Sequence, residues 1–125
     1  MDKKKILIID DEKDFCFFVK ANLENTGEFE VSAANSGKEG IGIALREKPD
    51  LILLDISMPE VSGDQVAQRL SRESVTNKIP IVFLTALVTE DEIETGVVSS
   101  IAGHKFMAKP VATAELVGAI NNTLK

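Results

Sequence analysis

The feature that most constrains this chain is a repeated alternation of short, unbroken apolar runs with longer segments of helical periodicity. Ile6-Leu7-Ile8-Ile9, Leu51-Ile52-Leu53-Leu54 and Ile81-Val82-Phe83-Leu84 contain no polar residue. A strand with one wet face alternates apolar with polar residues, so a continuous run predicts a strand covered on both faces. Phe29 to Ala33 alternates more and predicts a strand nearer a sheet edge, and Phe106 to Ala108 predicts a short fifth strand. Helical patterns fill the gaps. Asp14 to Leu23 puts Phe15, Phe18, Val19 and Leu23 at helical spacing, with Gly27 as the stop. Ser36 and Glu39 have capping-box spacing ahead of Ile41, Ala44 and Leu45, in a helix weakened by Gly40 and Gly42 and ended by Pro49. Asp64 to Ser71 is predicted helical with Val66, Ala67 and Leu70 inward. Thr89 and Glu92 open a fourth helix carrying Ile93, Val97 and Ile101, and Thr113, Leu116, Val117 and Ile120 mark a fifth.

Five strand–helix units, with no repeat or linker between them, predict one α/β domain over residues 1–125. Its sheet is parallel and doubly wound, with helices on both faces. A chain of 125 residues is long enough to bury such a core without a disulfide or structural metal. Cys16 is the only cysteine, which excludes an intramolecular disulfide and suits a reducing compartment. Flanked by Phe15, Phe17 and Phe18, it reads as a small buried hydrophobe. No segment has the ~20 apolar residues of a membrane span, and the run after Met1 to Lys5 is too short for a signal-peptide core. The expectation is a cytoplasmic protein that is not membrane-bound. A net charge of −6 and the absence of Trp and Tyr argue against direct nucleic-acid binding. Lys3 to Lys5 reads as a solvated flank of the first strand.

In doubly wound sheets, ligands bind beyond the C-terminal ends of the strands. Asp10, Asp11 and Glu12 follow the first strand, Asp55 the third, Thr85 the fourth and Lys109 the fifth. Singly, each is an ordinary turn, cap or surface residue. Together they bring carboxylates, a hydroxyl and an ammonium to one crevice. Crowded carboxylates repel and need positive charge: Lys109 supplies one, and a hard divalent cation is the natural second. Mg²⁺ suits a few carboxylates plus water and a phosphate oxygen. A carboxylate beside such an ion acts as a nucleophile toward phosphorus, giving an acyl phosphate. Asp55, on the central strand, is the predicted nucleophile.

The segments ILIIDDE (Ile6 to Glu12), DLILLDISMPEVSG (Asp50 to Gly63), IPIVFLTA (Ile79 to Ala86) and FMAKP (Phe106 to Pro110) resemble receiver domains of bacterial two-component response regulators in order, spacing and strand placement. The resemblance implies a flavodoxin-like fold with strand order 2-1-3-4-5 and five flanking helices. Carried over, Asp55 is the phosphoacceptor, with Thr85 and Lys109 on the phosphoryl group. Asp10, Asp11, Asp55 and the Ser57 backbone carbonyl surround Mg²⁺. Thr85 and Phe106 become the switch pair, and Lys109–Pro110 a cis peptide. Phosphorylation then remodels the face formed by the fourth helix, fifth strand and fifth helix. The implied partners are a histidine kinase or histidine phosphotransfer protein and a downstream protein or attached output domain. The domain would catalyse its own phosphoryl transfer and dephosphorylation without turning over a separate substrate.

Residues 88–103 depart from the usual pattern, which leaves the output surface as the least transferable inference. A dehalogenase-type phosphatase would want an acid two residues after Asp55, where Ser57 stands. Ser36-Gly37-Lys38 lacks the flanking residues of a P-loop. The remaining alternative is a receiver-like interaction module that is not phosphorylated. Loss of an acidic residue, Thr85 or Lys109 would mark it, and all are present.

Overall fold

A computed structural model describes residues 3–85, 105–109 and 112–124. Strands β1 (Lys4–Ile9), β2 (Phe29–Ala34), β3 (Leu51–Asp55), β4 (Ile81–Thr85) and β5 (Lys105–Ala108) form one sheet in the order β2-β1-β3-β4-β5. Every neighbouring pair is parallel. Helices α1 (Lys13–Asn25), α2 (Gly37–Glu47), α3 (Gly63–Ser71) and α4 (Thr113–Thr123) flank it. The helix expected from Thr89 to Ile101 lies outside the described residues, as does Pro110.

The unbroken apolar runs are explained by parity. Side chains alternate across a strand, so Ile6, Ile8, Leu51, Leu53, Val82 and Leu84 enter one core with Cys16, Val19 and Leu23 of α1 and Leu116 and Ile120 of α4. Leu7, Ile9, Ile52, Leu54 and Phe83 enter the other, against Ala44 of α2 and Val66 and Leu70 of α3. Each fully buried aliphatic side chain is worth about 1.5–3 kcal/mol, so both faces hold the sheet. β3, the central strand, is buried at all five positions. β2 takes the edge that its alternating pattern predicts.

Three local expectations need correction. Phe18 does not join the inward stripe of α1: it is 54% exposed, and Phe17 is 75% exposed. The buried stripe is Cys16, Val19 and Leu23. Each helical residue turns by about 100°, so centring the stripe on Cys16 leaves Phe15 at its border and turns Phe18 to solvent. At α2, the Ser36 side chain accepts from the Glu39 amide as a cap should. The return half of the box goes elsewhere, because Glu39 Oε1 accepts from the amide of Asn35 at 2.7 Å. Among the described residues, a complete capping box is found at α3, between Ser62 and Gln65. Gly40 is not simply a weak point either: a Cβ there would come within 2.7 Å of Ile9 Cγ1, so its bareness lets α2 approach β1.

Candidate functional site

The register aligns the strand ends that carry the chemistry. Ile9 pairs with Leu54, so Asp10 and Asp55 emerge side by side from β1 and β3. Asp55 is level with Leu84. Thr85 is level with Ala108, and the Lys109 amide donates to the Thr85 carbonyl at 2.9 Å. Asp10 is completely buried, Asp55 and Thr85 are nearly so, and Asp11 is exposed.

Asp10 is fixed at several atoms. Its amide donates to the Ala34 carbonyl at 3.0 Å. Its Oδ1 accepts from the Glu12 amide at 2.9 Å. Its carbonyl accepts from Asn35 Nδ2 at 3.0 Å and from the Cys16 thiol at 3.3 Å. Reading strand ends missed Asn35, although it follows β2 directly and the same rule applied there finds it. Cys16 is buried as expected, and it is also a donor to the site. Burial and the neighbouring Asp10 charge push its thiol up to about 12, which leaves it protonated.

The loop after β3 folds back beneath Asp55. The Ile56 amide donates to Leu84 and the Gly63 amide to the Ile56 carbonyl. A Cβ on Gly63 would lie 2.7 Å from the Ile56 Cα, so only glycine lets α3 begin this close to the strand. Glu60 takes the left-handed conformation at φ 69° to complete the turn. The Ser57 amide approaches Asp55 Oδ1 at 3.4 Å, a long contact.

Lys109 reaches into this group with only 9% of its side chain exposed. Its ammonium lies 2.6 Å from Asp10 Oδ2, 2.9 Å from Glu12 Oε1 and 3.6 Å from Asp55 Oδ1. It also sits 4.5 Å above the centre of the Phe15 ring. Burial works against this cation, but attraction to the Asp10 and Glu12 carboxylates outweighs it and brings Lys109 up to about 12. Burial and then the Asp10 charge push Asp55 up to about 6, against Lys109 and the Ser57 amide. Burial also raises Asp10.

Among the described residues, one ammonium stands beside these carboxylates, which leaves net negative charge in a poorly solvated place. Oxygens of Asp10, Asp11 and Asp55 lie within 4.8 Å of one another. Asp10 Oδ2, though close to Lys109, accepts no aligned hydrogen bond despite its burial. A convergent all-oxygen set, buried at Asp10 and Asp55 and only partly neutralised by Lys109, fits a hard divalent cation of the Mg²⁺ type. On β4 and β5, Phe83 and Phe106 pair in register with ring centroids 5.2 Å apart. Phe106 is half-buried there, below Thr85 on the neighbouring strand. The cleft lined by Lys5, Glu30, Arg46 and Glu47 includes none of Asp10, Asp11 and Asp55.

The doubly wound sheet with acidic residues, a hydroxyl and a lysine at its strand ends defines a CheY-like class of fold. The response regulator receiver domain family matches residues 6–121, and the chain belongs to that family. Receiver domains serve phosphorylation-dependent signalling in two-component systems and generally bind Mg²⁺. Protein PilH of Pseudomonas aeruginosa is 34% identical over 121 residues, which cover 96% of this chain and 97% of PilH. The phosphate regulon transcriptional regulatory protein PhoB of the same organism is 35% identical over 122 residues, covering 98% of this chain and 52% of PhoB. The chain thus spans about half the length of PhoB and of several other curated relatives. A putative response regulator from Chloroflexus aurantiacus superposes with a TM-score of 0.82 at 27% identity, covering 98% of both chains. The chemotaxis protein CheY4 of Vibrio cholerae, at 23% identity and a TM-score of 0.82, shares the fold.

Proposed function

We propose that this chain is a phosphorylation-controlled switch in which Asp55 accepts a phosphoryl group from a histidine kinase or histidine phosphotransfer protein, in a Mg²⁺-dependent reaction. The observation that carries this reading is the convergence of the Asp10, Asp11 and Asp55 oxygens within 4.8 Å, with the Lys109 ammonium 3.6 Å from Asp55. Asp10, Asp11, Asp55 and the Ser57 carbonyl would hold the ion. When bound, Mg²⁺ neutralises charge on the carboxylates and on the incoming phosphoryl oxygens.

This chain's own residues do the rest. Asp55 must be ionised to attack, and Lys109 favours that form against burial. An Asp55 oxygen forms the bond to phosphorus as the bond to the donor's imidazole nitrogen breaks, and the donor ring keeps that electron pair. The added dianion then draws on Lys109 as a counter-charge and on the Thr85 hydroxyl as a donor. Movement of Thr85 toward it makes room for Phe106, whose ring already packs on Phe83. That couples Asp55 to the edge of the sheet at β5.

Residues 1–125 act as one receiver unit in the cytoplasm, and the output passes through protein contact rather than direct contact with nucleic acid. Among the described residues, no helix is long and apolar enough to cross a membrane. The output is a separate protein or a domain attached to this one. The first test is intact mass after incubation with acetyl phosphate or phosphoramidate and Mg²⁺. One added phosphoryl group is expected, absent in Asp55→Asn and in EDTA. No addition in the wild type supports a receiver-like interaction module instead, and addition that survives Asp55→Asn assigns the wrong carboxylate.

A further inference from the structure

We infer that Glu12 is a positioning residue that holds the Lys109 ammonium in the resting state and gives it up when a phosphoryl group arrives. This inference rests on the reading of Asp55 as phosphoacceptor. Glu12 occupies the N-cap position of α1, where Ser, Thr, Asp or Asn ordinarily bonds a free helix amide. Its side chain makes no cap hydrogen bond. The carboxylate turns across the crevice instead and accepts from Lys109 Nζ at 2.9 Å, joining residues 97 apart in the chain. Phe15, one turn into the same helix, puts its ring under the same ammonium. α1 therefore presents a carboxylate and an aromatic face to one buried cation.

An isolated pair with a carboxylate as exposed as Glu12 (63%) contributes little, because water competes with it. The setting of Lys109 is different. Its side chain is 9% exposed, so few waters reach it, and it has three N–H donors to distribute. Asp10 and Glu12 lie at contact distance, and Asp55 at 3.6 Å is beyond a hydrogen bond. A phosphoryl oxygen on Asp55 draws the whole ammonium toward Asp55, and that movement lengthens its contact with one of its two present partners. Asp10 is buried and cannot be left unpaired cheaply, whereas Glu12 is at the rim and water can replace Lys109 there. Glu12 is the partner that yields. It competes with the phosphoryl group for Lys109 and biases the switch toward its resting state.

The test compares wild type with Glu12→Gln, which keeps size and polarity at an exposed position. The readouts are the Lys109 Nζ and Cε resonances and the dissociation constant for beryllofluoride at saturating Mg²⁺. The Lys109 resonances should differ between the two proteins when metal-free and coincide when both are loaded. Glu12→Gln should bind beryllofluoride about threefold more tightly, the scale of one partly screened ion pair, with the gain shrinking in high salt. Resonances that coincide in the metal-free proteins, or differ equally in both states, overturn the exchange. An unchanged dissociation constant overturns the competition. A metal-free difference with no beryllofluoride response in the wild type shows that the contact exists but the phosphoacceptor reading has failed, and the switch role falls with it.

Discussion

The Lys109 ammonium is 2.6 Å from Asp10 Oδ2 and 3.6 Å from Asp55 Oδ1, so its tightest contact is with the deeper carboxylate rather than the central one. The lysine therefore stabilises the metal-free fold before it takes part in any transfer. Its loss would leave two buried carboxylates without a counter-charge.

Lys109→Met should accordingly lower metal-free stability at pH 7 by about 1–3 kcal/mol, the usual cost of leaving a buried polar partner unsatisfied. The loss should shrink at pH 5, where burial favours proton uptake by Asp10 and Asp55. Urea unfolding at the two pH values measures it. A second change, Asp10→Asn, should recover much of the loss at pH 7. An equal loss at both pH values would mean that packing of the lysine stem, not its charge, is what matters.

Asp55 sets a pH dependence of the opposite kind from an ordinary salt-bridged carboxylate. Its ordinary value is 3.8, and in the fold it is pushed up to about 6 by burial and by Asp10. Between these values the folded chain holds a proton that the unfolded chain has released. The stability from this group is thus present below about pH 4 and lost as pH rises through about 6. The loss is on the order of 3 kcal/mol by the linkage relation. Metal-free Asp55→Asn should lack that fall and melt several degrees above wild type at pH 7. Millimolar Mg²⁺ should raise the wild-type melting temperature at pH 7 and leave Asp55→Asn much less affected.

Two glycines in helices should respond in opposite directions to the same substitution. Gly63→Ala sets a methyl 2.7 Å from the Ile56 Cα and should cost about 1–3 kcal/mol while loosening the loop beneath Asp55. Gly42→Ala, in α2, meets nothing within 4 Å and should stabilise by about 0.5–1 kcal/mol through helix propensity. Denaturant midpoints for the two variants give the comparison directly. If both stabilise, the close approach of α3 to β3 is softer than the geometry implies.

The parts of the fold legible in the sequence are those governed by a strict period. Runs such as Leu51 to Leu54 allow only a strand buried on both faces, and their ends place Asp10, Asp55, Thr85 and Lys109 on one rim. Less legible was anything decided by side-chain direction across long separations. Nothing local marks Glu12 as a partner of Lys109 rather than a helix cap, and nothing marks Asn35 as a donor to Asp10. The Ser36–Glu39 spacing looks like a reciprocal box, yet the Asn35 amide competes for the same carboxylate. The cis geometry expected at Pro110 and the helix after Thr89 fall outside the described residues.

The α1 stripe shows the same limit and can be tested most simply. With four apolar residues in a row from Phe15 to Phe18, periodicity alone admits two helix rotations about 70° apart. The packing selects the one that buries Cys16, Val19 and Leu23 against Ile6 and Ile8 of β1. Phe18, at 54% exposure, has already kept half its surface in water. Phe18→Ser should therefore change stability by no more than about 1 kcal/mol. Leu23→Ala, at a fully buried position, should cost about 2–5 kcal/mol through lost contacts and a cavity. Denaturant unfolding of the two variants separates the rotations. A Phe18→Ser loss as large as that of Leu23→Ala would put Phe18 in the core and turn α1 back to the rotation that the spacing first suggested.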